Sequence, residues 1–286
     1  SRSYCWDSGR EHLTKKDILV IDEAGMLGTR QMARVVDEAK SGGAKLVLIG
    51  DPQQLQAIEA GAAFRAIATK TNYLELTEVR RQLEPWQQAA TKEFALRDVK
   101  SAIDRYNKHD HVHSFEGQDS AKTALVQMWN DVRISQPDKT QIILAYTRKD
   151  AQELNEIARD YRKQNNELGE DHKLLTSSGN KTFAEGDRIY FLRNNRDLGV
   201  MNGTLGNIEA ITNNRLTVAV DRDDFKGNKV DANRQVVNLD LDCYNHITHG
   251  YAATIHKAQG VTVDRSYVLA SQHLDSHATY VGMEKL

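Results

Sequence analysis

Residues 18–24 read Ile-Leu-Val-Ile-Asp-Glu-Ala, in which two acids follow a run of four apolar residues. A short continuous apolar run is typical of a strand buried on both faces of a parallel sheet. Residues 29–40 follow with apolar side chains at helical spacing, and residues 44–49 form a second apolar run. This alternation predicts a doubly wound α/β sheet, whose ligands lie at the carboxyl ends of its strands.

The composition is that of a globular protein. The chain has 286 residues, 40% hydrophobic and 27% charged, with a net charge of −2. This balance excludes a strongly basic nucleic-acid-binding chain but allows a local basic groove. Cys5 and Cys243 are too few for a disulfide scaffold or a cysteine zinc site. No apolar run approaches the roughly 18 residues of a membrane span, and we expect a cytoplasmic protein.

The rest of the chain is predicted to hold further helices and strands and then a β module. Apolar periodicity predicts helices at 60–69, 86–97, 99–107, 121–132 and 151–165 and strands at 73–76 and 141–146. Short strands at the spacing of a small barrel are predicted at 187–191, 205–210, 216–220 and 236–241. Residues 249–274 are expected to return to a helix and then a strand.

These patterns predict an α/β fold of two parallel-sheet units with the β module inserted into the second. We place the first unit at 1–100. The second unit is expected to begin at 101–176, to be interrupted by the β module at 177–243, and to resume at 244–286. Asparagine-rich turns such as Asn202-Gly203 separate the strands of the β module.

The two acids that close the first strand match a Walker B element. In that motif the Asp holds Mg²⁺, and the Glu positions and deprotonates the attacking water. Asp22 and Glu23 are therefore predicted as metal ligand and general base. The alternative is that both acids only cap the next helix.

Two further motifs are predicted near the same edge of the sheet. Gly50, Asp51 and Gln53 belong to the string Gly-Asp-Pro-Gln-Gln-Leu after the second strand. A glutamine there can hydrogen-bond a γ-phosphate, and one ligand could touch both strand ends. Residues 76–82 read Leu-Thr-Glu-Val-Arg-Arg-Gln, and Arg81 could neutralise phosphate charge. The alternative for this arginine is a surface ion pair.

The fourth motif spans residues 249–262, His-Gly-Tyr-Ala-Ala-Thr-Ile-His-Lys-Ala-Gln-Gly-Val-Thr. Thr254, His256 and Lys257 offer hydrogen-bond donors to a nucleic-acid phosphate. Tyr251 offers a ring on which a base could stack. A buried helix with one polar face is the alternative interpretation of this stretch.

Together, in this order and spacing, the four motifs resemble superfamily 1B DNA helicases of the RecD/TraI branch, above all the helicase region of the TraA family of Ti-type conjugative-transfer relaxases. The resemblance covers essentially the whole chain. It implies two RecA-like units, the first incomplete, and an inserted SH3-like barrel. It also implies ATP and Mg²⁺ as cofactors, single-stranded DNA as partner and 5′→3′ movement during plasmid transfer.

The resemblance also implies roles for individual residues. Glu23, Gln53 and Arg81 would be catalytic. The nucleotide and its metal would be contacted by Asp22, Glu23, Gly50, Asp51, Gln53, Arg81 and Gly260, with Asp22 as the Mg²⁺ ligand. Tyr251, Thr254, His256 and Lys257 would contact DNA.

Two features of the family are not found in the sequence. No Gly-x-x-x-x-Gly-Lys-[Ser/Thr] phosphate loop occurs, and the string Gly-Asn-Lys-Thr at 179–182 is too short and is predicted in a loop. Residues 278–286 begin like helicase motif VI but lack its arginine. We therefore expect a fragment without appreciable ATPase activity, which could pair with a missing N-terminal fragment or with the conjugation machinery. The alternative is a non-enzymatic module that binds single-stranded DNA, left by a decayed or split gene.

Two smaller expectations follow. An incomplete first sheet would leave residues 18–21 and 46–49 poorly covered. His109, His111 and His113 alternate along the chain and are expected to lie in a solvated linker rather than to bind a metal.

Overall fold

The computed structural model describes residues 12–51, 62–75, 82, 84–221, 235–258, 261, 263–272, 274 and 276–283. It divides into two compact units, Ser1–Arg80 and Arg81–Leu286. Across the described ranges, no helix has the length and apolar character that crossing a membrane requires.

The first unit contains a small parallel sheet and two helices. Strand β1 (Ile18–Ile21) pairs in parallel with strand β2 (Lys45–Leu48). Helix α1 (Thr29–Gly42) connects the two strands, and helix α2 (Ala63–Lys70) follows β2 along the chain. The first three predicted elements are therefore confirmed, each to within two residues at its ends.

Only part of β1 is buried. Leu19 lies in a core cluster with Val35 and Ala39 of α1. Its neighbours Ile18 and Val20 point to the other side of the strand and are 62% and 52% exposed. The prediction that this strand is buried on both faces is therefore wrong for the described structure.

The strand predicted at residues 73–76 is not found. Residues 72–75 have no regular structure, and residue 76 lies outside the described residues. Tyr73 is 64% exposed and Leu74 fully exposed. A run of β-forming residues makes a strand only where another strand pairs with it.

The second unit contains five helices and ten strands among its described residues. The helices are α3 (Pro85–Ala95), α4 (Val99–Lys108), α5 (Gln118–Ser135), α6 (Arg148–Gln164) and α7 (Ser276–Met283). The strands are β3 (Gln141–Ala145), β4 (His172–Thr176), β5 (Gly179–Phe183), β6 (Arg188–Phe191), β7 (Leu205–Thr212), β8 (Arg215–Val220), β9 (Gln235–Asp240), β10 (Ile247–His249), β11 (Ala252–Thr254) and β12 (Arg265–Val268).

A three-stranded parallel sheet forms one core of this unit, in the order β11-β3-β12. Every residue of the central strand β3 is buried. Val126 and Trp129 of α5, and Leu154 and Ala158 of α6, share one hydrophobic cluster with Ile143 of β3. The helices thus supply the apolar cover that a fully buried strand needs.

A five-stranded antiparallel sheet forms the second core, in the order β10-β6-β7-β8-β9. A bulge interrupts the pairing of β7 with β8 between Ile208 and Ala210. The predicted turns at Asn202-Gly203 and Asn213-Asn214 are present. Over the described residues β9 and β10 are edge strands that do not pair with each other, so the predicted closed barrel is not confirmed.

Two local predictions in this unit are wrong. Residues 179–182 lie in strand β5, which pairs with β4 as a hairpin, and not in a loop. The described residues between 249 and 274 form strand, turn and strand rather than a helix and a strand, because β11 and β12 each pair in parallel with β3. Pairing with a central strand overrides the helical pattern that this alanine-rich stretch shows in isolation.

Candidate nucleotide and nucleic-acid sites

The first two predicted motifs meet at the carboxyl ends of β1 and β2. Ile49 donates its N–H to the Ile21 carbonyl at 2.8 Å, and Ala24 donates to the Ile49 carbonyl at 2.8 Å. A Cβ atom on Gly50 would lie 3.2 Å from the Ala24 nitrogen. Glycine therefore allows the second motif to approach closely, and Gly50 and Asp51 lie beside the segment that follows Asp22 and Glu23.

Glu23 has an uncommon backbone conformation at this edge. Its φ of 53° and ψ of 41° are left-handed, and it precedes a single 3₁₀ turn over Ala24–Met26. This region costs a residue with a Cβ atom about 1–2 kcal/mol and is often found at functional sites. The N–H of Glu23 donates to the exposed carboxylate of Asp22 at 2.9 Å. The two acids thus follow β1 in a sharp turn.

This edge fits a metal held jointly by protein and nucleotide. Mg²⁺ is usually bound by one or two carboxylates together with phosphate oxygens. Asp22 provides an exposed carboxylate two residues before Ala24, whose backbone Gly50 approaches. Within the described ranges no group of three or more His, Cys, Asp or Glu could hold a metal by itself. Gln53 and Arg81 lie outside the described residues.

The fourth motif forms a turn at the carboxyl end of β11. Lys257 and Ala258 donate their N–H groups to the Thr254 carbonyl at 2.9 and 3.0 Å. Thr254 is 7% exposed, whereas His256 is half-buried and Lys257 is exposed. Of the three predicted donors, His256 and Lys257 therefore reach the surface and Thr254 closes the turn beneath them. Gly260 lies outside the described residues.

The stacking role predicted for Tyr251 does not fit the structure. This side chain is 1% exposed. Its hydroxyl donates to the carboxylate of Asp187 at 2.6 Å, and the Arg162 guanidinium lies 5.7 Å from the centre of its ring. Burial and the Asp187 charge raise the pKa of the Tyr251 hydroxyl. A ring held in this way supports the turn and is closed to a base.

Asp187 joins the β module to helix α6. Its carboxylate is fully buried and accepts from Arg159 Nε at 2.9 Å and from the Ala184 N–H at 2.7 Å. Arg159 also contacts Asp171 at 2.5 Å. This paired and hydrogen-bonded charge ties the start of β6 to α6 and, through Tyr251, to β11 within the fourth motif.

Asn155 of α6 covers the outer edge of β11. Its Oδ1 accepts the N–H groups of Tyr251 and Ala252, both at 3.0 Å, and its Nδ2 donates to the Ala252 carbonyl at 2.7 Å. An uncovered strand edge exposes unpaired backbone groups. The amide side chain takes the place of a neighbouring strand and holds β11 in position.

Two cations that were not predicted as site residues, Arg148 and Lys181, repel the Lys257 ammonium. Burial, and then repulsion from Arg148 and Lys181, lower the pKa of the Lys257 ammonium. Arg148 lies three residues after the end of β3, so its position after a buried strand could have pointed to this edge. The sequence pattern did not indicate Lys181, because the β4–β5 hairpin on which it lies was not predicted.

The alternating histidines have an aromatic partner. The rings of His109 and His111 stack on Trp86 with centroids 4.1 and 5.5 Å apart. The same residues border a cavity of about 1120 Å³ that also reaches Tyr106 and Tyr267. None of the described residues predicted for the sites lines this cavity.

Comparison with known proteins gives several curated relatives and a matching family model. The conjugal transfer protein TraA of Agrobacterium fabrum is 42% identical over 281 residues, which is 98% of this chain and 24% of that protein. The Rhizobium radiobacter TraA is 42% identical over 280 residues. The ATP-dependent RecD2 DNA helicase of Deinococcus radiodurans is 28% identical over 265 residues, 85% of this chain and 31% of that protein. A family model described as an AAA domain matches residues 2–117.

Solved structures show the same fold at low sequence identity. A structure of two coordinating Pif1 helicases at forked double-stranded DNA matches with a TM-score of 0.62 and 18% identity, covering 94% of this chain and 66% of that one. Bacteroides Pif1 bound to single-stranded DNA matches with a TM-score of 0.60 and 18% identity, covering 94% and 68%. The chain spans about a quarter of the length of the TraA proteins that it matches.

Proposed function

We propose that this chain, a relative of the TraA conjugal transfer proteins and of superfamily 1 helicases, is the motor region of a conjugal transfer protein. In the longer protein this region would couple ATP hydrolysis to 5′→3′ movement along single-stranded DNA during plasmid transfer. The observation that carries the proposal is the 42% identity to TraA over 98% of the chain. The first two motifs meet at one edge of the sheet, which also supports the proposal.

The proposed nucleotide chemistry belongs to the carboxyl ends of β1 and β2. Bound ATP with Mg²⁺ would supply the phosphoanhydride bond and neutralise part of its charge. Asp22 would hold the metal, and Glu23 would take a proton from the attacking water. Gly50 and Asp51 would form the wall that approaches the nucleotide most closely.

Three further nucleotide contacts are proposed from the resemblance alone. Gln53 would sense the γ-phosphate, Arg81 would stabilise charge in the transition state, and Gly260 would lie in the loop after the DNA-binding turn.

The proposed DNA contacts lie on the turn after β11. His256 and Lys257 would donate to backbone phosphates, with Thr254 shaping the turn beneath them. The antiparallel sheet would be the SH3-like subdomain 2B of the family. Tyr251 would act by supporting this turn and not by stacking.

A second candidate is a non-enzymatic module that binds single-stranded DNA. The absence of a Gly-x-x-x-x-Gly-Lys-[Ser/Thr] string from the sequence favours it for the 286-residue polypeptide alone. Without a phosphate loop and the arginine of motif VI, we expect this polypeptide to lack appreciable ATPase activity. An arginine finger by itself is worth roughly 10³–10⁵ in rate.

Two assays test these proposals. Oligonucleotide binding is measured against salt, and the logarithm of affinity should fall linearly with the logarithm of salt concentration. Lys257→Gln should weaken binding and flatten this slope, whereas Lys108→Gln, an exposed lysine on α4, should not. Binding that is absent, or indifferent to salt, would contradict the DNA contacts.

ATP with Mg²⁺, added to the DNA-binding assay, separates the two candidates, because the non-enzymatic module would bind DNA independently of ATP, and the same reagents test the expected inactivity. A steady-state assay with single-stranded DNA should give no turnover for the isolated chain, and a rate of about 1 s⁻¹ or more would contradict that expectation. If turnover occurs, Glu23→Gln should abolish it. Loss of turnover with DNA binding retained would then support Glu23 as the general base.

A further inference from the structure

We propose that Lys181, on the β4–β5 hairpin, joins Lys257 and Arg148 in a three-cation site for the backbone phosphates of single-stranded DNA. Neither lysine 181 nor its hairpin belongs to any of the four motifs. The inference rests on the proposed DNA-binding function, adds a contact from outside the parallel sheet, and has a test of its own.

Strand pairing places Lys181 beside the DNA-binding turn. Strands β10 and β6 are antiparallel and set Thr248 opposite Tyr190, so both side chains lie on the same face. The Lys181 ammonium lies 3.2 Å from the Thr248 hydroxyl, and the Tyr190 hydroxyl donates to the carbonyl of Lys257. The hairpin lysine and the turn therefore lie side by side.

Arg148 approaches the same turn from the end of β3. The ring of Tyr146, the residue after β3, lies 6.3 Å from the ring of His256. Arg148 occupies the first position of α6, two residues further on. Repulsion from Arg148 and from Lys181 lowers the pKa of Lys257, after the larger effect of burial, so both cations act on the Lys257 ammonium.

The acids nearby leave this positive charge largely uncompensated. Asp150 on the first turn of α6 contacts Lys122 at 2.7 Å, and Glu153 contacts Lys149 at 3.7 Å. Glu156 attracts Lys181, but burial has the larger effect and lowers the pKa of that ammonium. Among the described residues, none of the three clustered cations forms an ion pair. Cations gathered without a carboxylate partner suit an anionic ligand.

The three cations come from three different elements, a hairpin, a helix start and a strand end. Such a set suits an extended polyanion better than a single small phosphate, because a positively charged groove follows the nucleic-acid backbone. Single-stranded DNA is the polyanion that the proposed function requires at this turn.

The hairpin itself provides a matched control. Lys181 lies opposite Leu174, which is 5% exposed in the core of the β module, whereas Lys173 lies opposite Thr182 on the other face. Lys173 is exposed. Lys181→Gln and Lys173→Gln therefore remove the same charge from the same hairpin, once within the cluster and once away from it.

The experiment compares oligothymidylate binding by the 286-residue chain and these variants across a salt series. Lys181→Gln should weaken binding roughly five- to tenfold at about 50 mM salt and lower the salt slope by about 0.7, the value for one phosphate contact on a single strand. Lys181→Arg should restore most of the affinity. Lys173→Gln should match the unaltered chain in both affinity and slope.

A second measurement uses the unaltered protein, so the test does not depend on the folding of a variant. The oligonucleotide should slow acetylation of Lys181 by acetic anhydride, read by mass spectrometry, and leave Lys173 unaffected. Inorganic phosphate at matched ionic strength should not give this protection.

The outcomes separate the two proposals. If the unaltered chain does not bind the oligonucleotide, the proposed DNA-binding function fails. If it binds, but Lys181 is not protected and Lys181→Gln behaves like Lys173→Gln, the assignment of Lys181 is overturned. Protection by inorganic phosphate alone would overturn the choice of DNA as the ligand.

Discussion

Strands β1 and β3 start from nearly the same sequence pattern and end in different surroundings. β1 reads Ile-Leu-Val-Ile and β3 reads Gln-Ile-Ile-Leu-Ala. Every residue of β3 is buried, and α5 and α6 both pack against its Ile143, while Ile18 and Val20 of β1 are 62% and 52% exposed. An apolar run therefore predicts a parallel strand, but the elements packed around that strand decide how much of it is buried.

The two units also differ in their polar contacts. Around β3 and β11, Asp187, Arg159, Tyr251 and Asn155 form a buried network of ion pairs and hydrogen bonds. The described residues of the first unit hold a small cluster around Leu19. We infer that the second unit contributes most of the stability and holds the turn after β11 in place.

Removal of the buried Asp187 carboxylate should cause the largest loss of unfolding free energy in the second unit. Asp187→Ala would leave the Arg159 guanidinium, 11% exposed, without its buried partner. Breaking such a pair costs about 3–5 kcal/mol of unfolding free energy, measured by urea denaturation. The exposed Asp197→Ala is the control and should change this free energy by less than about 0.5 kcal/mol. Equal effects of the two substitutions would refute the role of the network.

A matched pair of isoleucines tests the comparison of strands directly. Ile143→Ala in β3 removes a side chain with 0% exposure and should cost about 3 kcal/mol, because it leaves a cavity. Ile18→Ala in β1 removes one that is 62% exposed and should cost less than about 1 kcal/mol. Similar losses in denaturation experiments would mean that Ile18 is covered in solution.

Removing the cover of β11 should have a smaller effect. Asn155→Ala leaves the N–H groups of Tyr251 and Ala252 buried without this partner, at a cost of about 2 kcal/mol. Amide hydrogen exchange should quicken at these two residues before it does in the rest of the sheet. The control is Gln152→Ala, whose amide contacts only Glu156 on the exposed face of α6. Unchanged protection in Asn155→Ala would mean that another group covers the edge.

The smallest expected effect is a dependence of the second unit's unfolding free energy on pH. Burial lowers the pKa of His249, although the Asp187 charge opposes this, and the His249 ring lies 3.0 Å from the Thr182 carbonyl. The unfolded chain thus takes up a proton near pH 6.5 that the folded chain does not, so stability falls as the pH drops below that value. The slope is at most about 1.4 kcal/mol per pH unit.

The comparison of denaturation at pH 7 and pH 5.5 checks this effect. His249→Gln should lose less stability between the two values than the unaltered chain does. His113→Gln, at an exposed position, should keep the original dependence. If the pH dependence of stability is unchanged in His249→Gln, groups other than His249 cause it.

Much of the fold could be predicted from the sequence, and the failures have physical causes. Helices α5 and α6 and the strands β6, β7, β8 and β9 were predicted because their apolar periodicity is local. Residues 249–274 were predicted as a helix followed by a strand; the small side chains of the first part allow either conformation, and pairing with β3 decided between them. The β4–β5 hairpin was missed because its alternation is weak, and Lys181 was missed with it.

The candidate sites likewise include residues that could be placed from the sequence and residues that could not. Asp22, Glu23, Gly50 and Asp51 could be placed at one edge from the strand pattern, because parallel strands end on the same side of a sheet. Tyr251 was predicted to face DNA because aromatic rings serve for stacking, yet its partner Asp187 lies 64 residues away along the chain. A contact over that distance leaves no trace in the local pattern.

The sequence by itself determined most of the strands and helices, the acidic strand end and the positions of the four motifs, since these depend on neighbouring residues. Only the tertiary structure decided which apolar residues are buried, which ring supports the turn and which cations gather around Lys257. Burial and charge depend on atoms brought together from distant parts of the chain. The physical reason is that the hydrophobic effect and electrostatic interactions act through space, whereas a sequence pattern records only what is adjacent along the chain.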